Sequence, residues 1–198
     1  MRCRFDPFTT RFVVADDANP SMSFANACAN IELILSDVDG VMTDGRIRLL
    51  DGDHEMVVFH IRDGMGVRLW REVGGRFGIV TGRDLETVRR RAEYLKIDVV
   101  RMGIEDKLPA VDAIAAELGI GREAICYIGD DLLDLRVIQA VGLGVAVADA
   151  VEDVRLAAKY TTSVRGGAGA VREVIEVILK NTGRWEDVLR RYGGPPAV

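Results

Sequence analysis

Short apolar runs and longer helical stretches alternate along this chain. The runs are Ile31–Leu35, Phe77–Val80, Ile97–Val100, Ala124–Ile128 and Gly144–Val147, with a short edge run at Tyr160–Thr162. Runs of this length, apolar on both alternating faces, fit strands buried on both sides of a sheet. Between them the sequence predicts helices over Met65–Val73, Leu85–Leu95, Lys107–Leu118, Leu132–Ala140 and from Val151. A last helix is predicted over Ala170–Leu179, where Val171, Val174, Ile175 and Ile178 recur at helical spacing. Strand and helix in alternation predict an α/β domain, a parallel sheet with helices on both faces.

Turn chemistry fills in the connections. Asp51-Gly-Asp53 lies between the β-rich runs Arg46–Leu50 and Glu55–His60, which predicts a β-hairpin projecting from the end of the first strand. It is too small to be a cap domain. Asp63 is expected to cap the helix that Gly74-Gly75 ends, Asp84 to cap the next, and Gly119 to stop the third.

Composition narrows the class. The 198 residues suffice for one domain with a real core, and 48% of them are hydrophobic. A net charge of −5 offers no footprint for nucleic acid or an anionic membrane. No apolar run reaches the length of a membrane-spanning helix. The three cysteines, Cys3, Cys28 and Cys126, form neither a disulfide framework nor a zinc pattern, and a reducing, cytoplasmic location is expected. Residues 1–30 show no signal-peptide pattern and are expected to form a poorly ordered extension, residues 31–180 one domain, and residues 181–198 a tail with an amphipathic stretch near Trp185–Leu189.

Chemistry enters at the strand ends. The first strand delivers Asp37 and Asp39, the second Thr81, and the fourth Asp130 and Asp131, while Lys107 opens a helix. Ligands of open α/β sheets bind at this carboxyl edge. Singly, each residue fits a cap or a solvated surface, and their shared edge is the argument for a site. Asp37, Asp130 and a neighbouring carboxylate, with few histidines in the chain, suit a hard cation such as Mg²⁺. A hydroxyl and an ammonium beside it suit phosphate oxygens. Asp37 is then the nucleophile and Asp39 the acid and base.

These residues resemble the motifs of the haloacid dehalogenase superfamily. Asp37-Val-Asp-Gly-Val-Met-Thr-Asp-Gly45, His60-Ile-Arg-Asp-Gly-Met-Gly66, Thr81-Gly-Arg83, Gly129–Asp134, Val147–Ala150 and Arg165–Glu173 look more specifically like the 3-deoxy-D-manno-octulosonate 8-phosphate phosphatases. The resemblance implies a three-layer, Rossmann-like fold without a cap domain, assembled as a homotetramer. It also implies release of free 3-deoxy-D-manno-octulosonate (Kdo) for lipopolysaccharide. By the same resemblance Asp37, the backbone carbonyl of Asp39, and Asp130 would hold Mg²⁺, and Thr81 and Lys107 the phosphate. The small anionic sugar phosphate would be met by Asp39, His60, Ile61, Arg62, Asp63, Gly64, Arg68, Arg83, Arg91, Lys107 and Asp131. His60 departs from the family's usual asparagine. A neighbour's C-terminal segment would close the site.

Three rivals remain at this stage. A nine-carbon ulosonate 9-phosphate would keep the chemistry and change the sugar, though Arg62-Asp-Gly64 favours Kdo. A receiver domain would need its phosphoacceptor Asp where Thr81 stands. A non-catalytic tetramer-forming module is expected to lose the Asp pair that this chain keeps.

Overall fold

The computed structural model describes residues 23–52 and 54–194, with the backbone of two short strands before them, β1 (Arg4–Phe5) and β2 (Phe12–Val13), paired antiparallel. Most of the expected N-terminal extension lies outside the described residues. Its end is a helix, α1 (Phe24–Ala29), capped by the Ser23 hydroxyl accepting the Asn26 N–H at 3.2 Å. Small residues hide it in the sequence, yet Ala27 and Cys28 are buried and hold it to the core.

The six expected strands are present and form one parallel sheet. They are β3 (Leu33–Ser36), β6 (Arg76–Val80), β7 (Val99–Arg101), β8 (Ile125–Gly129), β9 (Leu143–Ala146) and β10 (Tyr160–Thr161). Their order is β10-β9-β8-β3-β6-β7. The predicted hairpin is β4 (Arg48–Leu49) with β5 (Glu55–Met56), shorter than its apolar runs suggest. The helices are α2 (Ile61–Glu72), α3 (Glu86–Leu95), α4 (Lys107–Leu118), α5 (Leu132–Ala140), α6 (Glu152–Ala157), α7 (Ala170–Asn181) and α8 (Trp185–Arg191). α1 and α2 pack on α7, while α4, α5 and α6 pack in series, as right-handed crossovers in opposite directions from β3 require. Three layers result, with no cap domain among the described residues.

β3 is wholly buried, and Ser36 pairs with Ile79 on one side and Ile128 on the other. The chain leaves β3 toward β6 and returns on the far side at β8. The β3–β8 gap is therefore the switch point, where such sheets bind ligands. Asp37 continues from β3, and its N–H still bonds the Ile128 carbonyl at 2.9 Å.

Two caps differ from expectation. α2 starts four residues early, because the His60 Nδ1 accepts the Arg62 N–H at 3.2 Å and caps it there. Asp63 instead lies buried inside α2, where its Oδ1 accepts the Arg172 N–H of α7 at 2.9 Å. Asp84 makes no cap bond, since its carboxylate pairs with Arg89 at 2.5 Å. Gly119 ends α4 in the left-handed conformation, φ 65°, as expected. No helix among the described residues is long and apolar enough to cross a membrane.

Candidate active site

The centre of the site is a buried ammonium. Lys107, the first residue of α4, is 2% exposed, and its Nζ lies 2.7 Å from Asp134 Oδ1 and 2.9 Å from Asp37 Oδ2. Burial works against its charge, but Asp37 and Asp134 outweigh that and raise its pKa. Asp134, fully buried in the first turn of α5, is saturated. It also accepts the Tyr127 hydroxyl at 2.7 Å and the Asp130 N–H at 2.9 Å. In the sequence Asp134 stands at the end of the Gly129–Asp134 motif without an assigned task. Its signal was its place four residues after Asp130 at the start of a helix.

Asp37 turns Oδ1 back to its neighbour's N–H, Val38, at 2.7 Å. Burial and then Asp134 push its pKa up to about 6, against the pull of Lys107. Asp130 is pushed up to about 8 by burial, then by Asp37, Asp134 and Asp131. Its Oδ1 is buried without a hydrogen-bond partner. Oxygens of Asp37, Asp130 and Asp134 all lie within 4.8 Å of one another. With Asp134 saturated, Asp37 and Asp130 are the open donors. An orphaned carboxylate oxygen in an all-oxygen set fits a hard divalent cation such as Mg²⁺.

Asp39 stands apart from this cluster. Its carboxylate faces Arg83, 3.7 Å away, and burial raises its pKa more than Arg83 lowers it. The Arg83 guanidinium is forked on Glu55 of β5, at 2.9 and 2.5 Å. The hairpin is thereby tied to the site's rim. Glu55 was missed in the sequence, since an acidic residue in a hairpin strand looks like solvent surface. Thr81 is buried at the end of β6, and its hydroxyl accepts the Arg83 N–H at 3.4 Å. Asp131 is exposed and caps α5, accepting the Leu132 N–H at 2.7 Å.

Glycines let two loops close on this centre. Gly40 has φ +91°, and a Cβ there would stand 2.0 Å from Asp130 Oδ2. A Cβ on Gly166 would stand 1.7 Å from the Gly40 carbonyl oxygen. The Gly167 N–H bonds the Val41 carbonyl, and the Gly166 N–H bonds Asp149, each at 2.9 Å.

The remaining expected sugar contacts gather elsewhere. Ile61, Gly64, Arg68 and Arg91 line a cavity of about 890 Å³ between α2 and α3 that none of Asp37, Asp39 or Asp130 lines. Arg91 donates to the His60 carbonyl at 3.3 Å and lies over the rings of Phe59 and Tyr94. Arg62 is exposed in the first turn of α2.

Sequence and fold comparisons agree with this geometry. A model of the haloacid dehalogenase-like hydrolases matches residues 97–175. The chain is 42% identical over 166 residues to the 3-deoxy-D-manno-octulosonate 8-phosphate phosphatase KdsC of Yersinia pestis, covering 84% of this chain and 86% of that one. The Escherichia coli K12 enzyme of the same name is 39% identical over 158 residues, 80% of this chain and 84% of its own. The crystal structure of the Moraxella catarrhalis phosphatase, in complex with magnesium ion, phosphate ion and KDO, superposes with a TM-score of 0.83 at 36% identity, over 85% of this chain and 97% of that one. With matches that span nearly the whole of each relative and a carboxylate–lysine centre at the switch point, the chain belongs to the 3-deoxy-D-manno-octulosonate 8-phosphate phosphatase family of haloacid dehalogenase-like hydrolases.

Proposed function

We propose that this protein hydrolyses 3-deoxy-D-manno-octulosonate 8-phosphate to Kdo and phosphate, and that Asp37 carries the phosphoryl group between the two half-reactions. The observation that carries this is the intact centre, with Asp37 Oδ2 2.9 Å from a Lys107 ammonium that Asp134 holds in place at 2.7 Å. Asp37 attacks phosphorus, and the bond to the sugar's oxygen breaks in line. Asp39, set apart with a raised pKa, gives its proton to that leaving oxygen. As a carboxylate it then takes a proton from water, which attacks the aspartyl-phosphate and frees Asp37. Thr81 and Lys107 hold the phosphate oxygens as charge builds on them. Asp37, Asp130 and the backbone carbonyl of Asp39 would hold Mg²⁺, which would supply charge neutralisation at the phosphoryl group.

The same reading makes the protein a homotetramer. The hairpin exposes Ile47, Leu49 and Leu50 by 63, 79 and 53% and Met56 by 43%, an apolar surface that copies of the chain would cover. Arg68 and Arg91 then serve a neighbouring copy's site. Kdo so released feeds lipopolysaccharide synthesis. The buried free thiols of Cys28 and Cys126 suit a reducing cytoplasm.

The test is phosphate release with Mg²⁺ from Kdo 8-phosphate beside N-acetylneuraminate 9-phosphate. Preference for the Kdo ester supports the proposal. Preference for the nine-carbon ester moves the enzyme to that sugar, and no release from either by the folded protein favours the non-catalytic module.

A further inference from the structure

The hairpin turns one acidic side chain toward the site. Glu55 and Met56 are successive residues of β5, so their side chains point to opposite faces of the ribbon. Met56 is exposed, whereas Glu55 is half-buried and meets Arg83 at the site's rim. Glu55 has no task in the mechanism above.

A single ion pair near a surface is ordinary and weak. This one differs in geometry and in place. Glu55 takes Arg83 in a two-bonded fork, with Nη1 donating to Oε1 at 2.9 Å and Nη2 to Oε2 at 2.5 Å. A fork is the strong and directional form of such a pair. The backbone of Arg83 is held at the end of β6, where its N–H donates to the Thr81 hydroxyl at 3.4 Å. The direction of the guanidinium is what remains to be set, and Glu55 sets it.

The same guanidinium has a second carboxylate within reach. Arg83 Nη1 lies 3.7 Å from Asp39 Oδ1, too far for a hydrogen bond. Glu55 and Asp39 are the two carboxylates whose charge acts on Arg83. Lys107, the other cation acting on Asp39, is shared by Asp37 and Asp134. Without Glu55, the nearest partner for Arg83 is therefore Asp39. A carboxylate gripped by a guanidinium gives its oxygens to those N–H groups. Asp39 must instead turn an oxygen to the leaving group and later to water. Resting on the acid–base reading above, we propose that Glu55 is a positioning residue that holds Arg83 off Asp39 and so keeps that carboxylate free for the reaction.

The test is a double-mutant cycle on Kdo 8-phosphate with Mg²⁺, comparing Glu55→Ala, Arg83→Ala and the double variant with the unaltered enzyme. Glu55→Ala should lower kcat about tenfold, with KM changed less, a part of the roughly 10²–10⁴-fold that acid–base catalysis contributes. On the Arg83→Ala background the same change should leave kcat where Arg83→Ala alone puts it, since no guanidinium remains to capture Asp39. Glu55→Asp, which keeps a carboxylate opposite Arg83, should recover part of the loss. Losses that add in the double variant would make Glu55 act without Arg83 and overturn the assignment. So would a Glu55→Ala loss carried by KM, or none at all. Asp39→Asn with an unaltered kcat would overturn the acid–base reading itself, whatever Glu55 does.

Discussion

Lys107 and Asp134 meet at 2.7 Å with side chains 2% and 0% exposed, and that pair sets the charge of the whole centre. It joins the start of α4 to the first turn of α5. It keeps Lys107 protonated beside Asp37, and it removes Asp134 from the carboxylates open to a cation. Asp134→Asn would turn an amide N–H toward donors: Lys107, the Tyr127 hydroxyl or the N–H groups of Asp130 and Asp131. Breaking one side of a buried pair costs about 3–5 kcal/mol. Chemical denaturation should show that loss, with phosphatase activity falling as well. An unchanged unfolding midpoint would remove the pair from its place in this account.

Gly166 and Gly119 separate a steric glycine from a conformational one. A Cβ at Gly166 meets backbone at 1.7 Å, whereas at Gly119 nothing lies within 4 Å and only φ +65° opposes a side chain. Gly166→Ala should push the 165–169 loop off the catalytic turn and cut kcat/KM about a hundredfold, the cost of displacing a site by an ångström. Gly119→Ala should lose about 1–2 kcal/mol of stability and keep its activity. Steady-state kinetics and a melting curve for each variant test the contrast.

Metal and pH are linked through Asp37 and Asp130. Their folded-state pKa values, about 6 and about 8, lie above the ordinary carboxylate value of 3.8 because burial disfavours the charged form, and neighbouring carboxylates add to it. Without metal, the folded state binds these protons more tightly than the unfolded state. The stabilisation is full below about pH 4 and is lost as pH rises through about 6 and then about 8. A cation relieves that repulsion. The rise in melting temperature given by Mg²⁺ over EDTA should therefore be larger at pH 8.5 than at pH 5.5, in calorimetry at constant ionic strength. A Mg²⁺ effect that is equal at both pH values would contradict the linkage.

The hairpin's exposed face predicts assembly. Leu49, 79% exposed on β4, contributes little to its own chain's core, so Leu49→Asp should leave the monomer folded. Sedimentation should show the proposed tetramer for the unaltered protein and smaller species for the variant. A tetramer that survives the charge would place the interface elsewhere.

Much of this was visible in the sequence because the parallel sheet puts chemistry at predictable points. Asp37, Thr81 and Asp130 each follow a buried run directly, so finding the strands found the residues. What stayed hidden depended on distant partners. Asp63 looks like a cap for its own helix and instead accepts an N–H from α7, more than a hundred residues away. Glu55 gains meaning only when Arg83 lies across from it. After Phe24, α1 is made of small residues without apolar periodicity, and the packing of Phe24, Ala27 and Cys28 on the core explains it. The cavity lined by Arg68 and Arg91 could not be foreseen, since no local pattern tells which way a helix turns its arginines.

The most direct test of the central claim is to trap the phosphoryl group. Asp39→Asn keeps the Asp37 nucleophile but loses both the acid that protonates the leaving oxygen and the base that activates water, so the probe is p-nitrophenyl phosphate, whose leaving group needs no proton. Mixed with that ester and Mg²⁺, quenched in acid and examined by mass spectrometry, the variant should carry one phosphoryl group on the peptide containing Asp37, absent in Asp37→Asn. Phosphate release by Asp37→Asn at the unaltered rate, with no phosphorylated peptide in either variant, would contradict the role given to Asp37.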